Sequence, residues 1–432
     1  MKAYLIMDRI HAIGIISGLA ALLGGCAKDA CVHTDMLGQP IEFGTYLGRD
    51  AQTRADFGFD GDGSIYRFGG TVMNLEELKK TGFGVSAIYT GQDKWVDWQK
   101  SESEVSPNFM FKQSVFVTKD GEWGYEPIKY WPTRQDDKIS FFAYAPFATD
   151  NNSYGFSRSD VWTSQHYSLK FTIQAKADEM VDFVAAAVMD RTYNGNKVTF
   201  EFQHALTRLL FSAKTSENMD SKSHVVITGA RLVKGPCWYR QGNYSFTQRR
   251  NTNNTNDSYW GQTKEQNKDL IQSDYDLTPI LAASTDVTIG GKRYDDASGN
   301  ASSALELTSA TPVSIFKKKG SGESASQCYL FLIPTSGSAS DPGIQANTAA
   351  VAFDYDIVTE DPSLAAGYSC TSATKTVYLP AGIMQKGKAY NVTFTFNVDK
   401  IEVSADVEGW STVGGEYGTE VPFVPDNAAA GE

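Results

Sequence analysis

The side chains able to do chemistry are few and scattered. His11, His33, His166, His204 and His224 are the only histidines, and no H-E-x-x-H pair aims two imidazoles at one zinc ion. No G-x-S-x-G elbow, P-loop or G-x-G-x-x-G run is present either, so serine hydrolysis and phosphate cradling lack their usual parts. His204, between Phe202 and Leu206, reads as a satisfied structural residue. Asp60-Gly61-Asp62-Gly63-Ser64 sets acids at alternate positions, as a calcium loop does, but the closing bidentate glutamate is missing and an exposed turn fits better. Cys31, Cys237, Cys328 and Cys370 stand far apart, without the C-x-x-C spacing of zinc or redox sites. One bridge among Cys237, Cys328 and Cys370 and a set of buried free thiols both fit this sequence. Paired carboxylates of the glycosidase kind are spaced in three dimensions and leave no sequence signature. The expectation is a protein with no catalytic residues, no metal and no cofactor.

Cys26 is the exception. Lys2 and Arg9 precede an uncharged, mostly apolar run from Ala12 to Gly25, which is too short to span a bilayer and has the length of a signal-peptide core. It ends in Leu23-Gly24-Gly25-Cys26, which resembles a bacterial lipoprotein box. Residues 1–25 are expected to be a signal peptide, with Cys26 acylated, palmitate included, as the first mature residue. Each buried methylene contributes ~0.8 kcal/mol, so such chains anchor a protein to the outer membrane without threading it through. Ala27-Lys28-Asp29 follows, similar to the surface-export tags of some lipoproteins.

The 432 residues are enough for two to three compact units. A composition of 41% hydrophobic and 21% charged residues is globular, and the formal net charge of -12 leaves no basic stripe for nucleic acid. Period-two alternation dominates. Tyr390, Val392, Phe394, Phe396 and Val398 alternate with Asn391, Thr393, Thr395 and Asn397, which puts the apolar side chains on one sheet face. Ile401 to Glu408 repeats the pattern as the other arm of a hairpin or a strand in a facing sheet. Val351 to Ile357 and Val198 to Phe202 alternate too. Ile139 to Ala145 and Cys328 to Ile333 are apolar on both faces and suit central strands. His204 to Phe211 reads as a continuation of the strand from Val198. Asn74-Leu75-Glu76-Glu77-Leu78, with Lys79 and Lys80 behind it, has the cap and charge order of a short helix. Gln241 to Asn267, rich in Asn, Thr and Gln, reads as a long exposed loop. The polar stretch Thr215 to Ser223 is the natural junction between domains at 26–215 and 224–432. Most of the tryptophans adjoin strand signals and read as core fillers. The fold class is all-β.

Several stretches together resemble the fimbrillin family, the type V pilin subunits of Bacteroidales. They are Ile41 to Tyr46, Thr53-Arg54-Ala55, Gly82 to Val85, Asn108-Phe109-Met110, Trp123 to Pro132, Ile139 to Pro146, Asp182 to Ala185, Val198 to Leu206 and Tyr390 to Trp410. The resemblance implies two tandem transthyretin-like Greek-key β-sandwich domains with few short helices. It also implies a surface-exposed fimbrial subunit, delivered as a lipoprotein and polymerised by strand exchange. An Arg- or Lys-specific surface protease removes the first strand, and the C-terminal strand of another pilin subunit fills the groove by β-augmentation. Here the first strand would be Ile41 to Leu47, with Arg49 and Arg54 as candidate cleavage sites. The candidate donor strand carries Tyr417, Thr419, Val421 and Phe423 on one face; Pro422 and Pro425 restrict its pairing. Host or bacterial surface ligands are further expected partners. The rival expectations are a monomeric glycan-binding lipoprotein, which would cluster exposed tryptophans in one groove, and a β-sandwich hydrolase.

Overall fold

Alternating apolar side chains become strands where a facing layer can bury them. The computed structural model describes residues 38–46, 70–101, 106–149, 154–157, 161–163, 166–246, 259–260, 269–295, 303–308, 310–318, 327–335, 343–408 and 410. The first half holds β1 (Phe43–Tyr46), β2 (Phe83–Gly91), β3 (Met110–Val117), β4 (Trp123–Gly124), β5 (Lys138–Ala145), β6 (Val161–Thr163), β7 (His166–Thr172), β8 (Val184–Arg191), β9 (Val198–Glu201), β10 (Gln203–His204) and β11 (Thr207–Thr215). Next come β12 (Ser223–Val233), β13 (Tyr239–Ser245) and the short pieces β14 (Tyr259–Trp260), β15 (Asp269–Leu270), β16 (Tyr275–Asp276), β17 (Thr288–Ile289), β18 (Lys292–Arg293), β19 (Leu305–Leu307), β20 (Val313–Ser314) and β21 (Leu330–Leu332). Four long strands close the series: β22 (Ala350–Glu360), β23 (Tyr368–Tyr378), β24 (Ala389–Phe396) and β25 (Ile401–Glu408). The α-helices among the described residues are α1 (Leu75–Thr81) and α2 (Trp95–Ser101). This is an all-β sandwich fold.

One six-stranded sheet runs β10-β8-β5-β2-β3-β4. Its central strand β5 buries Ile139 to Ala145 on both faces, as the doubly apolar run requires. A second sheet sets β11 between β20 with β21 on one edge and β24 on the other, with β25 outside β24. A third runs β16-β12-β22-β23, and a fourth runs β14-β13-β7-β6. β24 and β25 form the antiparallel hairpin, paired from Ala389 with Glu408 to Phe396 with Ile401. Among the described residues β1 pairs in parallel with β9 alone and joins none of these four sheets.

The expected helix forms for the expected reason: Asn74 Oδ1 accepts the Glu77 N–H at 2.9 Å, capping α1. Gly82 ends it at φ 66, donating its N–H to the Leu78 carbonyl. α2 was not expected. Its first N–H, on Trp95, is bonded at 2.6 Å by Asp190 Oδ1 on β8, a cap from a distant strand that leaves no local sequence mark.

Two local readings are corrected. Gln241 to Ser245 is strand, paired with β7, and Trp260 on β14 is fully buried, donating its indole N–H to the Ala205 carbonyl at 2.6 Å. These residues are held by an aromatic cluster with Phe171 and Phe183, which outweighs the polar composition of the surrounding sequence. The run from His204 to Phe211 is two strands, not a continuation of β9. β10 pairs with β8, and after the buried Ala205-Leu206 step β11 pairs with β21 and β24 in another sheet. Strand pairing also crosses the polar turn at 216–223, since β11 joins β24 and β7 joins β13.

Candidate functional site

The first strand has a seat of its own. Along Ile41 to Tyr46 the side chains of Ile41 and Phe43 are each 1% exposed, while Glu42 and Tyr46 face solvent. The Phe43 ring enters an aromatic box, with ring centroids 5.0 Å from Tyr125, 5.5 Å from Phe200, 6.0 Å from Phe141 and 6.4 Å from Phe83. These belong to one core with Leu78, Val85, Met110 and Trp131, so β2, β5 and β9 all converge on the strand.

Backbone bonds hold both sides of the strand. Toward β9, Val198 N–H donates to the Glu42 carbonyl at 2.8 Å and Phe202 N–H to the Tyr46 carbonyl at 3.0 Å. On the other side Ile41 N–H donates to the Lys129 carbonyl at 2.8 Å, and Tyr125 Oη donates to the Ile41 carbonyl at 2.9 Å. Burial pushes the Tyr125 phenol above its usual pKa, which keeps that donor protonated. One side-chain bond adds direction: Trp123 Nε1 donates to Thr45 Oγ1 at 3.0 Å. Gly44 lies close to β9, where a Cβ would come within 3.2 Å of Thr199 Oγ1.

Two kinds of contact hold this seat: the buried side chains of Ile41 and Phe43, and backbone bonds to β9 and Lys129 that a strand of any sequence can make. Another strand that supplies suitable side chains can therefore make the same set of contacts.

At the far end of the described chain, Trp410 is 8% exposed and stacks on His204 at 4.1 Å. His204 Nδ1 faces the buried Asp182 carboxylate at 3.0 Å, and Asp182 Oδ2 accepts the Met73 N–H at 2.8 Å. Arg208 lies 4.6 Å over the Tyr329 ring and 5.4 Å over Trp410, and donates to Glu408 at 2.8 Å. His204 is therefore a satisfied structural residue, as its neighbours in the sequence suggest. Through Asp182 it links Trp410 to Met73, close in sequence to Gly70, whose carbonyl accepts the Tyr329 N–H.

A cavity of about 440 Å³ lies beside β8, lined in part by Trp95, Tyr244, Phe246, Asp190 and Glu201. The three rings are 1–2% exposed, so they present no face on which a sugar could stack. Cys237, Cys328 and Cys370 are free. Burial pushes Cys237 up to about 11 and Cys328 up to about 12, so neither is a nucleophile at neutral pH. Among the described residues no group of three or more His, Cys, Asp or Glu side chains is placed to hold a metal ion. Cys26, Arg49, Arg54, Tyr417, Thr419, Val421 and Phe423, with the acidic turn at Asp60, lie outside the described residues. The partners of the first strand that sequence reasoning missed are Tyr125, Trp123 and Lys129. Their only signal was the aromatic density of Trp123 to Trp131.

Comparison with known proteins extends this picture. A family profile described as Fimbrillin-like matches residues 87–410. The chain is 27% identical over 365 residues to the fimbrium subunit Fim1C of Phocaeicola vulgatus, covering 79% of this chain and 85% of that protein. The crystal structure of a fimbrial protein from Bacteroides vulgatus superposes with a TM-score of 0.63 at 22% identity, covering 86% of this chain and 99% of that one. The fold is shared with that structure.

Proposed function

The chain belongs to the fimbrillin-like family, and on that premise we propose that it is a structural or adhesive subunit of a cell-surface fimbria. In this reading it travels as a lipoprotein acylated on Cys26 and reaches the outer face of the outer membrane. A protease specific for Arg or Lys hydrolyses the chain after Arg49 or Arg54, both of which follow β1 in the sequence. β1 then leaves, and the C-terminal strand of another subunit, with Tyr417, Thr419, Val421 and Phe423 on one face, takes its place. The two tandem sandwich units expected at 26–215 and 224–432 are part of the same proposal.

The observation that carries the reading is the seat of β1. Among the described residues it is a four-residue strand paired with one neighbour, held by backbone bonds and two buried side chains. Losing it would uncover an aromatic box that no soluble subunit can leave open, so vacancy itself drives association. The test is the mature N-terminus of protein sheared from cells, read by intact mass and terminal sequencing. A start at Asp50 or Ala55 is expected. Acylated Cys26 on all of the surface protein would overturn the cleavage step and leave an anchor or a monomeric lipoprotein.

A further inference from the structure

The tetrapeptide that leads into β1, Glu42-Phe43-Gly44-Thr45, has one near copy in the sequence: Glu416-Tyr417-Gly418-Thr419, within the C-terminal segment. We infer that the C-terminal segment of a second copy of this chain enters the β1 seat in the register this match defines, with Tyr417 in the place of Phe43, Gly418 of Gly44 and Thr419 of Thr45. The inference rests on the strand-exchange reading above and adds to it the register and the side chains that select the partner.

Each matched position has a physical demand in the seat. The box formed by Tyr125, Phe200, Phe141 and Phe83 takes a six-membered ring, which Tyr417 supplies. The position of Gly44 runs so close to β9 that a Cβ would press on Thr199 Oγ1 at 3.2 Å, and Gly418 again brings none. The indole N–H of Trp123 donates to the Thr45 hydroxyl at 3.0 Å, and Thr419 offers the same acceptor. Glu416 falls where Glu42 faces solvent. A shift by one residue would turn the ring to solvent. A shift by two would put Glu420 or Glu416 at the glycine position. The register also carries Pro422 two positions past that of Tyr46, beyond the paired span of Phe43 to Tyr46, so its missing N–H is not called upon.

The two segments differ where Ile41 fills the core, because Gly415 aligns there. The donor therefore leaves the Ile41 site empty, and Gly415→Ile should tighten the assembly. Gly418→Val should weaken it.

The experiment uses full-length protein carrying Cys370→Ser, trimmed with trypsin and oxidised. Tyr46 pairs with Glu201, so Glu420 is expected opposite Glu201. A Glu201→Cys, Glu420→Cys pair should give a ladder of disulfide-linked multimers, and a Thr199→Cys, Glu420→Cys pair should not. Assembly followed by light scattering should slow at least about tenfold for Gly418→Val and speed up for Gly415→Ile. Equal cross-linking of the shifted pair, or polymer formation with neither pair cross-linked, would overturn the register while leaving strand exchange intact. A cross-link confined to monomers would mean that the segment folds back on its own chain and would overturn the role of a second copy. Trimmed wild-type protein that never polymerises would sink the underlying reading instead.

Discussion

β1 and β24 both place aromatic side chains into a core, Phe43 from one and Tyr390, Phe394 and Phe396 from the other, yet they are built to opposite ends. β24 is eight residues long and is paired along its whole length on both edges, with β11 in parallel and β25 antiparallel. Its Tyr390, Val392, Phe394 and Phe396 are at most 2% exposed. β1 is half that length and pairs with β9 on one edge only, the other edge being met by Lys129 and Tyr125. A strand locked on two edges leaves only when the domain unfolds, whereas a short strand on one edge can leave with the domain intact. The same alternation thus serves permanence in one place and exchange in the other.

The largest effect should come from breaking the permanent side. Phe394 touches Phe211 and Phe353, with centroids 5.2 and 4.7 Å apart. Phe394→Ala should cost about 3–5 kcal/mol of global stability, seen as a lower midpoint in urea with an unchanged slope. If the loss were instead confined to hydrogen exchange in β24 and β25, the claim that this hairpin unfolds only with the whole would fail.

Phe43→Ala removes a side chain of the same kind from an equally buried place, and it should cost less. The penalty is capped by the docking free energy of β1, because once the strand detaches nothing more is lost from it, so it should fall below the about 3–5 kcal/mol of a core Phe→Ala change. Hydrogen exchange should quicken at Val198 and Phe202, whose N–H groups face β1, before it changes in β24. A global loss as large as that of Phe394→Ala would mean that β1 is integral to the domain and not an exchangeable strand.

Much of this contrast was readable from residues alone. Alternation gave β9, β22, β24 and β25, and the doubly apolar run gave β5, because burial on one face or two writes itself directly into side-chain type. What escaped were features set by tertiary partners. α2 takes its cap from Asp190, β13 and β14 owe their order to Phe171 and Phe183, and the turn from β10 to β11 depends on which sheet offers the next free edge. The site was half legible. Ile41 and Phe43 come out as strand only through the resemblance of Ile41 to Tyr46 to the family, and nothing in their own sequence says that this strand has one β neighbour, that it runs parallel, or that Tyr125 closes its outer edge.

Tyr125→Phe probes that closure alone. The ring stays, 5.0 Å from Phe43, while the loss of Oη removes its bond to the Ile41 carbonyl together with its longer contacts to the Lys129 carbonyl at 3.4 Å and from the Lys129 N–H at 3.3 Å, for a cost of about 1–2 kcal/mol. It should be felt at β1 and not at β24. The pH dependence sharpens the test. The folded-state pKa of Tyr125 is raised above the ordinary 10.0, chiefly by burial, so the proton is held more tightly in the folded protein than in the unfolded chain. Its contribution is therefore complete below about pH 10 and is lost as pH rises through the folded value. Wild-type protein should loosen at β1 on raising the pH above 10, and the Phe variant, already without that bond, should show a smaller change there. Both readouts follow from hydrogen exchange at Val198 and Phe202, with β24 as the internal reference. If the two proteins loosened equally with pH, the outer edge would owe nothing to the phenol, and the Lys129 carbonyl would be the contact that holds Ile41 in place.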